Sequence, residues 1–359
     1  MTCRTATLGG HVRRCPQGHV TEVWYNSCRH RACPRCCGQR SGQWLDHWLE
    51  QVVPTDHFHV IFTLPSELHE VWRWNRALLT EVLFRSVRET LLTLLHAPKW
   101  LGATPGILAT LHTWSRTLAF HAHVHCLVSG GGLTVRGQWG AVRTGYLLPV
   151  AVVRALFRGK VLGAIEELWS TGQLSLPPRL ADDGVRQVLV AAARQKWNIR
   201  VAERYKHGRG VVKYLARYVR GGPIKDPRLV SFAGQAVTVR LGKHHDPEER
   251  GQPPPPEVTL TVTEFLQRWS AHVPLPGVHT VRAWGVYART QRRKLERCRA
   301  QLPEQETTRE PPSRAEDVPD RDRAHPWEQC PVCHQPMVVT QVLPRAGAPP
   351  RVESWLEAA

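Results

Sequence analysis

Apolar and polar positions alternate in two rhythms along this chain, and the changes between them mark its elements. A period of two, which gives a strand two unlike faces, runs through His57-Phe-His-Val-Ile-Phe-Thr-Leu64 and Phe120-His-Ala-His-Val-His-Cys-Leu-Val128. Between them Leu78, Leu79, Val82, Leu83, Val87, Leu91 and Leu94 recur at helical spacing, predicting one long helix from about Ser66 to Leu95. Trp44, Leu45, Trp48, Leu49 and Val52 predict a shorter amphipathic helix over 41–53. The apolar runs 106–113 and 116–129 read as a hairpin turning at Trp114-Ser115, 146–168 as a strand or turn leading into a helix, and 185–197 as another helix. A short helix over 210–221 stops at Gly221, Gly222 and Pro223. Strand patterns return at 229–232 and 236–241, 259–269 reads as a strand running into a helix, and 289–299 as a basic helix. The order strand, helix, two strands, further helices predicts an α+β sandwich with helices over an antiparallel sheet.

Residues 303–326 break both rhythms. Rich in Pro, Glu, Asp and Arg, they predict a disordered linker before a last cysteine pair, Cys330-Pro-Val-Cys333. The 359 residues carry 48 Lys and Arg against 30 Asp and Glu, a formal net charge of +18 that favours a polyanionic partner, most often nucleic acid. No apolar run approaches the ~20 residues that span a bilayer, and Met-Thr-Cys-Arg lacks a signal peptide's apolar core, so a cytoplasmic, nucleoid-associated protein with no membrane partner is expected. In a reducing compartment the ten cysteines call for metal rather than disulfides.

Three groups of residues carry chemistry. On a strand, His121, His123 and His125 project to one face, close enough to share a divalent ion; a solvated polar row is the plainer reading, but the apolar flanks Phe120 and Leu127-Val128 argue against it. Tyr214 and Tyr218 are four apart on the short helix and so share a face, among Lys213, Arg217 and Arg220. Cations favour an ionised, nucleophilic phenol and would also bind phosphate. Near the N-terminus, Cys33-Pro-Arg-Cys36 is a zinc knuckle, which Cys28 and Cys15 complete with His19 as competitor; Cys3, Cys37 and His30 are weaker choices. Arg13, Arg14, Arg29, Arg31, Arg35 and Arg40 make this module a DNA contact. The pair Cys330 and Cys333, with His325 and His334 nearby, lacks an obvious second pair.

Taken together, the histidine strand with Gly130-Gly131-Gly132, the tyrosine pair, Leu8-Gly-Gly-His11, Tyr25-Asn-Ser-Cys-Arg-His-Arg-Ala-Cys-Pro-Arg-Cys36, Phe58–Pro65, Leu111-His-Thr-Trp114, Leu148-Pro-Val150 and Leu156-Phe-Arg-Gly-Lys160 resemble the two-tyrosine HUH transposases of the insertion sequence ninety-one family. The resemblance implies a ferredoxin-like HUH endonuclease palm plus a small N-terminal zinc-binding domain. It implies Mg²⁺ or Mn²⁺ on His123 and His125, a third ligand for which His121 is the first choice with His207 or a glutamine or glutamate behind it, and Zn²⁺ in the N-terminal domain. Tyr214 or Tyr218 would form a 5′-phosphotyrosine with single-stranded DNA at transposon ends and pass it to target DNA; a homo-oligomer is left open.

The expected organisation is a zinc domain over 1–50, the endonuclease over 55–235, a C-terminal extension over 236–302, a linker over 303–328 and a knuckle and tail over 329–359. Three rivals are a rolling-circle replication initiator, a metal-dependent hydrolase, which would want an acidic group that 112–158 lacks, and a non-catalytic zinc-dependent DNA-binding protein.

Overall fold

The computed structural model describes residues 2–30, 33, 35–115, 117–142, 146–180, 183–205, 210, 212–213, 215, 224, 228–241, 256–303 and 329–347. Its first half contains β1 (Gly10–Arg14), β2 (Thr21–Tyr25), α1 (Cys37–Gln51), β3 (His57–Thr63), α2 (His69–Trp74), α3 (Arg76–His96), β4 (Ala103–Trp114), β5 (Phe120–Thr134) and β6 (Trp139–Ala141). Then follow α4 (Val150–Ser170), α5 (Gly184–Arg194), β7 (Ile199–Tyr205), β8 (Leu229–Ala233), β9 (Ala236–Arg240), β10 (Glu257–Thr261), α6 (Val262–Ala271), β11 (Val281–Gly285), α7 (Arg292–Arg299) and β12 (Val338–Leu343). The chain separates into two compact units, one of Met1–Gln43, Arg220–Asp226 and Glu310–Ala359, the other of Trp44–Val219 and Pro227–Arg309.

The larger unit is built on an antiparallel sheet in the order β11-β4-β5-β3-β7, with β6 pairing β5. This is the α+β arrangement that the pattern predicts. Alternation along the strands gives the sheet two unlike faces. One is apolar: Val60, Phe62, Val124 and Cys126 are buried under Leu83, Val87 and Leu91 of α3 and Phe157, Val161 and Ile165 of α4. Phe62 and Phe157 meet with ring centroids 4.8 Å apart. The other face carries the histidines toward one end and, toward the other, a second core in which Leu108 and Leu127 lie beneath Leu45 and Trp48 of α1, Leu295 of α7 and Tyr287. A further antiparallel sheet, β10-β9-β8, stands in the same unit.

Two details depart from the sequence pattern. The single helix expected over 66–95 is interrupted at Asn75, whose side-chain amide donates to the carbonyls of Val71 and Ser175 at 2.9 and 2.8 Å and accepts the Ser175 N–H at 2.8 Å. Those bonds anchor the break to a segment that apolar periodicity does not reach. The strand β11, from the segment read as a C-terminal extension, pairs with β4 as an edge of the main sheet. Among the described residues no helix is long and apolar enough to cross a membrane.

The glycine run that ends β5 has a steric cause. A Cβ on Gly131 would lie 2.5 Å from the Trp139 ring, and one on Gly132 2.4 Å from the Thr104 carbonyl oxygen, a backbone atom that cannot move aside cheaply. Gly132→Ala should therefore destabilise the larger unit by about 1–3 kcal/mol, the usual range for overpacking. Urea denaturation followed by tryptophan fluorescence measures it; an unchanged midpoint would mean that β4 and β5 do not approach this closely.

Candidate active site and metal centres

Strand register assembles the histidine site. In the β4–β5 pairing His112 stands opposite His123 and Thr110 opposite His125; in the β3–β5 pairing Thr63 stands opposite His123 and Ile61 opposite His125. Directly opposed residues share a face, so His59, His112, His121, His123 and His125 all lie on the side away from the apolar core. His112, His123 and His125 each offer a ring nitrogen within 4.8 Å of the other two, a spacing at which one ion can bind all three. Of the sequence-expected trio, His123 and His125 are thus brought together with His112, and His121 lies outside that group of three. The ring centroid of His121 is 5.0 Å from that of His123, comparable with the 5.3 Å between His112 and His123, and the His121 backbone carbonyl accepts the His123 Nδ1–H at 2.7 Å.

That bond matters for the chemistry. With Nδ1 donating, the neutral His123 ring keeps its lone pair on Nε2, the form a metal needs. His59, on β3, lies 2.8 Å from His125, Nε2 to Nδ1, so the two rings share one proton; with His125 Nδ1 as its donor, Nε2 of His125 is left for a metal. Burial holds these imidazoles neutral: it lowers His123 to about 3, helped by His121, and His59 to about 4, helped by Arg200, and it depresses His112 and His125 well below the ordinary value. Three neutral imidazoles fit a divalent ion by charge and donor type, and nitrogen donors suit Mn²⁺ or Zn²⁺ better than Mg²⁺.

The tyrosine segment is described in part. Gly210, Val212, Lys213 and Leu215 have helical backbone, and Val212 and Leu215 are fully buried in the core that covers Leu108 and Leu127. Leu127 is two residues past His125, on the same face. Val212 and Leu215 are thereby docked on the histidine face, and Lys213 is exposed. Tyr214, Tyr218, Arg217, Arg220 and His207 lie outside the described residues.

The cysteines form two clusters rather than one: Cys3, Cys28, Cys33 and Cys36, and Cys15, His19, Cys330 and Cys333, each with its ligand atoms within 4.8 Å. The sequence reading grouped Cys15 and His19 with Cys28, Cys33 and Cys36; the structure sets Cys15 and His19 beside Cys330 and Cys333. Cys15 and His19 belong to the closed end of the β1–β2 hairpin, whereas Cys3 precedes β1 and Cys28 follows β2 at its open end. Five-residue strands keep the two ends roughly 17 Å apart. In the first cluster the Sγ atoms of Cys28 and Cys36 are 3.7 Å apart, and burial together with the neighbouring thiols pushes Cys36 up to about 12. Thiols crowded this way ionise together only around a cation. Cys37 has no described side chain.

A family of transposases, described as "Putative transposase", matches residues 106–294, and "Transposase zinc-binding domain" matches residues 1–64. A "Putative transposase y4qJ" of Sinorhizobium fredii is 34% identical over 97% of this chain and 89% of its own length. The chain belongs to the insertion sequence ninety-one family of transposases. The transposase for insertion sequence element IS801 of Pseudomonas savastanoi is 31% identical over 80% of this chain and 68% of its own. The conjugative relaxase TrwC in complex with mutant OriT DNA aligns with 44% of this chain and 71% of its own at 13% identity and a TM-score of 0.24, a likeness too slight to inform the fold.

Sequence reading of the transposase did not single out His112, which the structure groups with His123 and His125, and left His59 as structural. A single histidine in an apolar strand carries no signal of its own; the usable one was that the strand before the histidine strand also held a histidine at a position that hairpin pairing can place opposite. In the smaller unit a cleft lined by Arg4, Arg13, Arg29, Arg345, Trp24 and Tyr25 offers cations and aromatic faces, the two features with which proteins hold nucleic acid strands.

Burial of neutral imidazoles makes the transposase acid-sensitive. His57 and His59 are held to about 4 and His123 to about 3, chiefly by burial, while unfolded imidazoles titrate near 6.5. The unfolded state therefore takes up protons first, and stability falls as pH drops through 6.5, by up to about 1.4 kcal/mol per pH unit for each such group. With no divalent ion added, the melting temperature should decline from pH 7 to pH 5; a flat profile would show these rings already charged or open to water.

Proposed function

We propose that this transposase nicks and rejoins single-stranded DNA at the ends of its element through a covalent 5′-phosphotyrosine, the rolling-circle route of the HUH class. The observation that carries the reading is a cluster of three neutral imidazoles on the same sheet face to which Val212 and Leu215, flanking Tyr214 in sequence, are docked. The assignment divides the chain into an N-terminal zinc-binding, DNA-contacting domain and an endonuclease domain.

His112, His123 and His125 would hold Mg²⁺ or Mn²⁺, which would offset charge growing on the non-bridging oxygens of the scissile phosphate. The His121 carbonyl keeps the His123 ring in the ligating tautomer, and His59 is the partner that would do the same for His125. Tyr214 or Tyr218 attacks phosphorus with its phenolic oxygen, its proton passing to solvent or to a neighbouring base. A tyrosyl Oη–P bond forms, the bond from phosphorus to the 3′-oxygen breaks, and that oxygen takes up a proton as a free 3′-hydroxyl. Because the phosphodiester's free energy is conserved, a 3′-hydroxyl from another strand reverses the step without ATP. Two tyrosines allow two strands to be held, together or in turn. Lys213, with Arg217 and Arg220, binds the flanking phosphates and lowers the phenol's pKa.

The test is a denaturant-resistant adduct between the purified protein, with Mg²⁺ or Mn²⁺, and single-stranded DNA from the flanks of its own gene. Tyr214→Phe with Tyr218→Phe should abolish the adduct while leaving DNA binding intact, and His123→Ala should reduce its rate by about 10²-fold or more. His112→Ala should match His123→Ala, whereas His121→Ala should cost far less. Adduct formation by the double phenylalanine variant would defeat the tyrosine mechanism, and wild-type cleavage by His112→Ala would remove it from the ligand set.

A further inference from the structure

We infer that the protein carries a second zinc ion, bound by Cys15, His19, Cys330 and Cys333, which closes the C-terminal knuckle onto the N-terminal module. The argument begins with strand register. β12 runs antiparallel to β1, pairing Val338 with Arg14 and Leu343 with Gly10. The chain that leads into β12 therefore arrives beside the end of β1 from which Cys15 follows. Cys330 and Cys333, a few residues upstream of Val338, meet the closed end of the β1–β2 hairpin and not its open end.

Both halves of the site are shaped as tight turns. The Gly18 N–H donates to the Cys15 carbonyl at 2.9 Å and the His334 N–H to the Cys330 carbonyl at 2.8 Å, so each turn presents its two ligands to the same side. The Val332 N–H points at the Cys330 sulfur at 3.4 Å, an arrangement that stabilises a thiolate. A tetrahedral zinc with Zn–S near 2.3 Å and Zn–N near 2.0–2.1 Å sets its ligand atoms about 3.5–3.8 Å apart. Here Cys15 Sγ is 3.5 Å from Cys333 Sγ and 3.6 Å from His19 Nδ1, and Cys330 Sγ is 4.0 Å from His19 Nδ1. The sulfurs are too far apart for a disulfide, which needs about 2.05 Å. Three thiolates and one imidazole with no open position make a structural zinc site, chemically distinct from the four-thiolate cluster at the other end of the hairpin.

The full-length protein, purified without chelator and with its histidine site loaded with Mn²⁺, should contain two zinc ions by native mass spectrometry and elemental analysis. X-ray absorption should show seven thiolates and one imidazole shared between them. Cys330→Ser with Cys333→Ser should leave one zinc in an all-thiolate environment, and Cys33→Ser with Cys36→Ser should leave one that keeps its imidazole. A single zinc in the wild type, or two in the Cys330 and Cys333 variant, would overturn the inference. If a serine variant folds poorly, His19→Cys decides: it should keep both ions while the cobalt-substituted protein shifts to a purely thiolate spectrum, and an unshifted spectrum would place His19 outside the site.

Discussion

His112 faces His123 across the β4–β5 pair, and no other contact in the larger unit has as much depending on it. A slip of one residue would turn the histidines of β5 into the apolar core and Val124 and Cys126 out of it. The register is pinned at both ends. At one, the turn between the strands is closed by the Ser115 N–H donating to the Ala119 carbonyl at 2.9 Å. At the other, Gly131 and Gly132 let neighbouring backbone and the Trp139 ring approach closer than any side chain would permit. Desolvating a cluster of imidazoles is unfavourable by itself. It is sustained by the packing of the opposite face, by the hydrogen bond His125 shares with His59 and by that from His123 to the His121 carbonyl.

The main sheet divides its labour by face. Phe62, Val124 and Phe157 on one side supply burial, so the other side can carry groups chosen for chemistry at a cost in stability. The second core, around Leu108 and Leu127, extends that burial across the far half of the histidine face and gives the segment at Val212 and Leu215 a surface to dock on. A loop that had to find the imidazoles unaided would meet a larger entropic barrier than one whose neighbouring residues are already packed.

Legibility in the sequence followed how local each constraint is. The histidine strand could be read because its period of two is written in nine consecutive residues, and α4 and α5 showed themselves by apolar spacing. His112 could not be assigned, since its meaning comes from the residue opposite it on another strand. Asn75 interrupts a helix because of Ser175, a partner a hundred residues away. The cysteines misled for a related reason: closeness along the chain suggested one site, but a hairpin sends its turn and its open end in opposite directions, so Cys15 parts from Cys28 and meets Cys333 instead.

The order β12-β1-β2 also bears on the timing of synthesis. β1 leaves the ribosome long before β12, which pairs one of its two edges from more than three hundred residues later in the chain. At roughly 5–20 residues per second, that edge waits on the order of 15–65 seconds for its partner. A nascent or prematurely ended chain can therefore form the larger unit with its histidine face while the smaller unit is still missing a strand. The fold thus ties one small sheet to translation of most of the chain: only a polypeptide that extends past residue 343 can assemble β12-β1-β2.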